Sequence, residues 1–363
     1  VHQKHLRRFL QKQEDYGWNE GDWVTDKLTT LRYEDTILDI HRHDTSELPE
    51  ALRADVDAAF AFQAATMAQS TRTTYQGAWK RFLSWARERG LPTLPTTPAA
   101  VATYAAHLAT TGRAFSTIVI AVASIGAAHD AAEIDPNPVR SRIVSRQIKG
   151  IARTVGKIQK QKQELTDVEV RKIAKLFPPG PVGLRDRMLF LLWFVCASRR
   201  SEIVGLNIED LSFREEGLYV LFRKTKTDQE GVGTTKAAPY SSSAAVCPVR
   251  ATKAWVDFLA TKNMTTGPLL RAIRGRNWIQ SERMSGGAAT NRVKRYAKMI
   301  GIDPALVSGH SLRSGFATSA ARKGRPERSI MVQTGHKLFD TVLKYIRRAN
   351  LMKDSAAVGL LDE

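Results

Sequence analysis

From Leu48 to Arg153 one pattern repeats: apolar residues at helical spacing, a high content of alanine, and a turn residue closing each run. In STRTTYQGAWKRFLSWARERG (70–90), Tyr75, Trp79, Phe82, Leu83 and Ala86 fall on one face of a helix that Gly90 stops. TPAAVATYAAHLATTG (97–112) and FSTIVIAVASIGAAHDAA (115–132) read as two more helices, and DPNPVRSRIVSRQIKGIAR (135–153) as a shorter fourth. A segment of this kind can bury its apolar stripes only helix against helix, so residues 48–153 are expected to form a compact helical domain.

A change of composition marks where that domain ends. Between Arg140 and Lys162 there are eight Lys or Arg residues and no Asp or Glu, and the run finishes in the polar GKIQKQKQE. This reads as a helix passing into a connector, residues 154–165, whose charge is suited to a phosphate backbone, although charge runs are also common on plain solvated faces. A second domain, 166–363, opens at LTDVEVRKI, where Thr166 and Glu169 have capping-box spacing. RDRMLFLLWFVCASRRSEIVGL (185–206) reads as one buried helix. GLYVLFRKTKTDQEGVGTTKAAPYS (217–241) alternates as strands around a hairpin, and the pattern beyond it is helical to the end. The expected fold class is therefore mainly α, with one small antiparallel sheet. Residues 1–47 follow no recognisable pattern; His41 and His43 there lack the second ligand cluster that a metal site needs.

The charge balance narrows the partner. With 55 Lys and Arg against 36 Asp and Glu, the formal net charge is +19 over 363 residues, as expected of a chain that meets a polyanion, nucleic acid before anionic lipid. VHQKHLRRFLQKQ has no apolar signal core, and the longest apolar run, MLFLLWFVCA (188–197), is half a membrane span, so a soluble cytoplasmic protein without membrane association is expected, nucleoid-associated in a bacterium. Cys196 and Cys247 make neither a disulfide framework nor a zinc knuckle. There is no phosphate-binding G-x-x-x-x-G-K-[ST] loop, no HExxH and no acidic cluster for paired Mg²⁺, so no metal and no cofactor are expected.

What remains is a set of cations and a phenol: Arg199 in ASRRSEI, Lys226 in RKTKT, His310 and Arg313 in GHSLRSG, His336 in GHK and Tyr345 in VLKYIRRA. Guanidinium forks match the non-bridging oxygens of a phosphate and can stabilise its transition state without a metal. Each residue has an ordinary alternative. An H-x-x-R pair is commonly a surface turn, Glu202 a salt-bridge acid, Lys226 a solvated hairpin residue, His336 the end of a turn, and Tyr345 a core tyrosine with its hydroxyl outside. Their joint order on a strongly basic chain sets them apart. His310 and Arg313 stand one helical turn apart, so both lie on one face of a helix.

In this order the residues resemble the tyrosine site-specific recombinases and integrases, most closely the Cre-type recombinases. RRSEI is similar to that family's first arginine box, with Arg199 as catalytic arginine and Glu202 as its supporting acid. Arg200 stands where a small apolar residue is usual, leaving both arginines open for the inward position. KTKT resembles the hairpin lysine box, giving Lys226, with Lys224 as the alternative; HSLR, GH and YIR supply His310, Arg313, His336 and Tyr345.

The resemblance implies a helical core-binding domain and a catalytic domain forming a C-shaped clamp on double-stranded DNA with inverted half-sites. It implies cleavage through a 3′-phosphotyrosyl link and a Holliday junction, and a homo-tetramer joined through the C-terminal tail. Tyr345 would be nucleophile, Lys226 general acid, His310 an aid to proton transfer at the nucleophile, and Arg199, Arg313 and His336 the transition-state clamp. Arg72, Lys80, Arg81, Arg140, Arg142, Arg146 and Lys149 are candidate DNA contacts in the first domain. Asn291, Arg292, Lys294 and Arg295, on a helix expected to start at a capping Thr290, are the candidate base readers. A type IB topoisomerase and a non-catalytic DNA-binding protein of the same fold are the rival readings.

Overall fold

The computed structural model describes residues 66–156, 162–223, 233–275, 277–336 and 338–360. Residues 1–47 with His41 and His43, both hairpin lysines Lys224 and Lys226, and the end of the tail lie outside the described residues. The chain divides into two compact units, one ending at Gln159 and the next beginning at Lys160.

The first unit is helical throughout its described part. Helix α1 (Gln69–Arg87) buries Ala78, Trp79, Phe82, Trp85 and Ala86, with Tyr75 and Leu83 half-buried at the edge of that face. Helix α2 (Pro98–Thr110) starts where the Thr97 side chain accepts from the Ala100 amide, with Pro98 in the first turn, where its missing N–H is not needed. Helix α3 (Phe115–Ala131) and helix α4 (Arg142–Val155) follow, the second starting seven residues after the sequence pattern begins and running two residues past its end. Trp79, Phe82, Trp85 and Tyr104 form a chain of ring contacts at the centre, with neighbouring centroids 4.8–6.2 Å apart. His129 is buried beside them; its Nε2 accepts from the Thr96 amide and its Nδ1–H donates to Ile125 O, which requires the neutral ring that burial favours.

In the second unit the Thr166–Glu169 capping box opens helix α5 (Asp167–Ala174). The buried run expected as one helix is in fact two. Helix α6 (Pro181–Val195) ends, Ala197 takes a left-handed φ of 46°, and helix α7 (Arg200–Gly205) starts afresh. Strands β1 (Leu211–Arg214), β2 (Gly217–Phe222) and β3 (Thr234–Pro239) form an antiparallel sheet in sequence order, with Leu211 opposite Val220 and Val220 opposite Lys236. Helix α8 (Pro248–Ala260) packs on α6.

A second sheet then departs from the helical expectation: β4 (Arg271–Arg274) pairs with β5 (Trp278–Arg283) through a turn in which Gly275 and Asn277 have positive φ. Four arginines in RAIRGRNWIQSER hide the short alternation of Ile273 and Ile279, and a turn of this kind is what pairs them. Helix α9 (Gly286–Met299) likewise begins earlier than expected. Ser285 is its cap, accepting from the Ala288 amide, whereas Thr290 lies inside the helix with its hydroxyl donating to Gly286 O. Helices α10 (His310–Arg322), α11 (Glu327–Thr334) and α12 (Phe339–Ala349) complete the unit.

Helix α6 is the centre of this core. Met188, Leu189, Phe190, Leu192 and Trp193 are fully buried, against α8, α10 and the sheet. Arg185 and Asp186 are buried with them as an ion pair of 2.7 Å, and the Tyr296 hydroxyl donates to the same carboxylate.

Helix α10 is seated on the backbone of the segment before α5. The Leu165 amide donates to Ser311 O, and a Cβ at Gly315 would fall inside van der Waals contact of Leu165 O. Gly315→Ala should therefore push α10 off its seat and cost about 1–3 kcal/mol, read as a lower urea midpoint. A midpoint equal to the parent's would mean that this approach is not a constraint.

Candidate active site

The break between α6 and α7 sets up the site. Arg199 occupies the cap position of α7; its amide donates to Glu202 Oε2 at 2.8 Å and its Nη1 to Glu202 Oε1 at 2.6 Å, and the Glu202 side chain is only 3% exposed. The two ends of one carboxylate thus fix both the backbone and the guanidinium of Arg199. Arg200, the alternative, is exposed and lies across Gly286 and Gly309.

Arg313, one turn into α10, is 2% exposed. Its Nη1 donates to Ala197 O at 2.7 Å and its Nη2 to His336 Nε2 at 3.0 Å. Burial first, and then Arg199, lower its pKa to about 10, which leaves it charged at neutral pH. The same two causes, with Arg313 the nearer cation, bring His336 down to about 4. His336 is thus a neutral imidazole, and its tautomer follows from its partners: Nε2 accepts from Arg313, so Nδ1 carries the proton and donates to Thr334 Oγ1 at 2.8 Å. The Thr334 hydroxyl in turn donates to Ile330 O at 2.7 Å.

Tyr345 comes from α12, which docks on α10 and α11 by Val342, Tyr345, Ile346 and Ala349 against Ala317, Ala321 and Ile330. Its hydroxyl lies 3.1 Å from His310 Nε2, and its ring stands 6.0 Å from that of His336. Burial raises the Tyr345 phenol above its ordinary range, so the hydroxyl keeps its proton at neutral pH. Burial, Arg313 and Arg199 lower the His310 pKa from its ordinary value, which favours the neutral ring beside the phenol.

One further cation belongs to this neighbourhood and is absent from the sequence motifs. Lys236 of β3 is 5% exposed, and its Nζ donates to Cys196 O at 2.9 Å. Burial lowers its pKa to about 8, against the opposing pull of Glu202. The signal was strand alternation, since Lys236 lies opposite the buried Val220 where an apolar residue is expected.

The structure thus brings Arg199, Glu202, His310, Arg313, His336 and Tyr345 together. The other named residues are distributed differently. On α4, Arg142, Arg146 and Lys149 are exposed at spacings of four and three, one face of the helix, but Arg140 before it is paired with Asp130 at 2.9 Å. Lys80 and Arg81 are exposed on α1 and Arg72 is half-buried. On α9, Asn291 and Arg295 are exposed and Lys294 half-buried, while Arg292 is drawn inward, 3.9 Å from the buried Asp186. No group of three or more His, Cys, Asp or Glu among the described residues could hold a metal ion, and both cysteines are buried as free thiols. No helix among the described residues is long and apolar enough to cross a membrane.

Chemically, the arrangement offers two guanidinium groups for one anionic centre and a phenol with an adjacent proton acceptor. Comparison with known proteins gives these features a family. Residues 163–351 match the phage integrase family. An integrase/recombinase xerD homolog of Selenomonas ruminantium is 35% identical over 292 residues, 80% of this chain and 84% of that one. Tyrosine recombinase XerD of Proteus mirabilis is 28% identical over 172 residues, about half of each protein. Among solved structures, the fold is similar to XerH site-specific recombinase bound to palindromic difH substrate, with a TM-score of 0.58 at 14% identity over 83% of this chain and 82% of that one. It is also similar to a lambda integrase dimer bound to a core site, with a TM-score of 0.54 at 18% identity over 81% and 94%. The family match over more than half of the chain, with a 35% identical relative aligned along most of it, makes this protein a member of the phage integrase family, the tyrosine recombinases.

Proposed function

We propose that the protein is a site-specific DNA recombinase that cleaves and rejoins duplex DNA through Tyr345. The observation that carries this reading is the Tyr345 hydroxyl held 3.1 Å from Nε2 of His310, beside the buried, charged Arg313. A DNA phosphate entering the site would meet the N–H groups of Arg199 and Arg313 that their protein partners leave over. His310 takes the phenolic proton as Tyr345 Oη attacks phosphorus. The bond from phosphorus to the 5′-oxygen breaks, and that oxygen takes a proton from a general acid, for which Lys226 is our assignment. The products are a 3′-phosphotyrosyl link and a free 5′-hydroxyl. Attack by a partner strand's 5′-hydroxyl reverses the step, so the bond energy is retained and neither ATP nor metal is required. Two such rounds would pass through a Holliday junction.

His336 takes a narrower role here than in the sequence reading. Its only unprotonated nitrogen already accepts from Arg313, so it orients that guanidinium and donates nothing to the phosphate itself. The exposed α4 row of Arg142, Arg146 and Lys149 and the α9 residues Asn291, Lys294 and Arg295 are our assignments for backbone contact and base reading. Beyond α12, Leu351, Met352, Val358 and Leu360 are 66–80% exposed, an apolar set suited to docking on a neighbouring protomer of a tetramer.

Selection of bound duplexes from a random library should return inverted half-sites around a short spacer. Tyr345→Phe should bind those duplexes like the parent and form no covalent adduct, because only the attacking oxygen is gone. An adduct in that variant would refute the assignment, and relaxation of plasmids lacking the selected site would favour a topoisomerase.

The pH dependence follows from His310. As the base it must be neutral, and its pKa lies below 6.5, so adduct formation should be level around neutrality and decline only as the pH drops through that lower value. His310→Ala should slow cleavage by about 10²–10⁴-fold and lose this acid limb; a limb centred above pH 6.5 would remove His310 from the role. Deleting residues 353–363 should leave single half-site binding intact and abolish synapsis, whereas recombination at the parental rate would rule out docking through the tail.

A further inference from the structure

The last carbonyls of α6 and the turn after it have lost the partners that a continuing helix would give them. Four in succession accept from side chains. Val195 O takes Gln333 Nε2 at 2.7 Å, Cys196 O takes Lys236 Nζ at 2.9 Å, Ala197 O takes Arg313 Nη1 at 2.7 Å, and Ser198 O takes Trp193 Nε1 at 2.9 Å. The donors come from α11, β3, α10 and α6 itself. Gln333 also donates to Ala237 O at 3.1 Å, so β3 is tied to this turn at two adjacent residues. Arg199 is the next residue along the chain.

Strand alternation calls for an apolar residue at position 236, and an unpaired buried ammonium would be strongly unfavourable there. The charge is instead accommodated by Cys196 O, by the Phe222 ring 5.1 Å from Nζ, and by the field of Glu202. Glu202 is the carboxylate that fixes Arg199, so both cations depend on it. The remaining titratable groups that face Lys236 are Arg199, Arg313, His336 and the thiol of Cys196, and burial pushes that thiol up to about 12.

We propose that Lys236 is a positioning residue for phosphodiester cleavage: its ammonium pins Cys196 O in the turn that ends α6, and thereby sets the separation of Arg199, which follows the turn, from Arg313, which grips the next carbonyl. The inference rests on the recombinase reading and adds to it a cation outside the family motifs. Lys236 is not a proton donor to DNA, because its Nζ is turned into the turn and buried beneath it. It also has a pH signature. Its folded pKa, about 8, lies below the ordinary 10.5, so the unfolded chain binds more protons between those values and this group makes folding more favourable as the pH rises. Loss of the charge above pH 8 would weaken the clamp while the fold gains, so activity and stability part company.

The test uses the full chain and a nicked duplex carrying the selected site, with either oxygen or sulfur at the 5′-bridging position. Sulfur leaves without a proton, so the sulfur duplex bypasses the general acid. Lys236→Met should bind the duplex like the parent, form adduct at least tenfold more slowly, and stay slow with sulfur. Lys236→Gln restores a donor to Cys196 O without the charge, and should regain part of the rate. On the sulfur duplex the parent should lose rate above about pH 8, and Lys236→Gln should lack that alkaline fall. If Lys236→Met fails to fold, the rate and pH profile of Lys236→Gln decide.

Parental rates in Lys236→Met, an unchanged alkaline fall in Lys236→Gln, or full rescue of either variant by sulfur would overturn the inference, the last by making Lys236 a proton donor. A parent that forms no adduct would overturn the recombinase reading and this inference with it, whereas an active parent with indifferent variants overturns the inference alone.

Discussion

A guanidinium does not deprotonate near neutral pH, so burying one obliges the surrounding chain to supply acceptors, and Arg313 at 2% exposure imposes that demand on the whole catalytic unit. One acceptor is Ala197 O. To present it, α6 must stop and Ala197 must adopt a left-handed φ of 46°, a conformation that costs a non-glycine residue roughly 1–2 kcal/mol. The same break allows Arg199 to start a new helix under Glu202. The other acceptor is His336 Nε2, which must be unprotonated and is held so by the Thr334 contact on its far side. One buried cation thus dictates where two helices end and begin, and the tautomer of a histidine from a third.

The electrostatics of the site have a single sign. Lys236, Arg313, His310 and His336 all have lowered pKa values, each from burial in the first place and, except in Lys236, from neighbouring arginines next. In Lys236 the opposing field of Glu202 ranks ahead of the arginines. Glu202 is the buried carboxylate among them, so the described cations outnumber the anions that face them. Such a cluster is a poor contributor to stability and a good receptor for a phosphate, because its donors are already oriented when charge develops. The fully buried face of α6 and the core around it supply the compensation.

Much of this was readable in the sequence, and the failures have particular causes. The helices of the first unit, the Thr166 capping box and the His310–Arg313 pair depend on local spacing, which a linear pattern preserves. The break after α6 was hidden because an unbroken apolar run looks the same whether or not a buried side chain from elsewhere is drawing a carbonyl out of the helix. Arg292 was named a candidate DNA contact by its residue type; what the sequence did not show is that its guanidinium lies 3.9 Å from the carboxylate of Asp186, buried and more than a hundred residues earlier. Lys236 was passed over for the opposite reason. It lies in a hairpin whose other lysines fit a motif, and its significance depends on Cys196 and Glu202, which only the fold brings to it.

The two halves of the site are anchored to different degrees. The proposed phosphate clamp, Arg199 and Arg313, hangs from α6 and from four carbonyls held by separate elements, so its local unfolding requires the core to open. Tyr345 is carried by α12, which fully buries one residue, Val342, and is otherwise held by half-buried contacts and a Glu164–Arg348 pair whose arginine is half exposed. An ion pair of that kind adds little. The proposed nucleophile therefore belongs to a lightly buried element and the proposed charge clamp to one anchored in the core. On the proposed mechanism a phosphate would meet arginines anchored in the core, and displacement of α12 would remove the tyrosine while leaving those anchors in place.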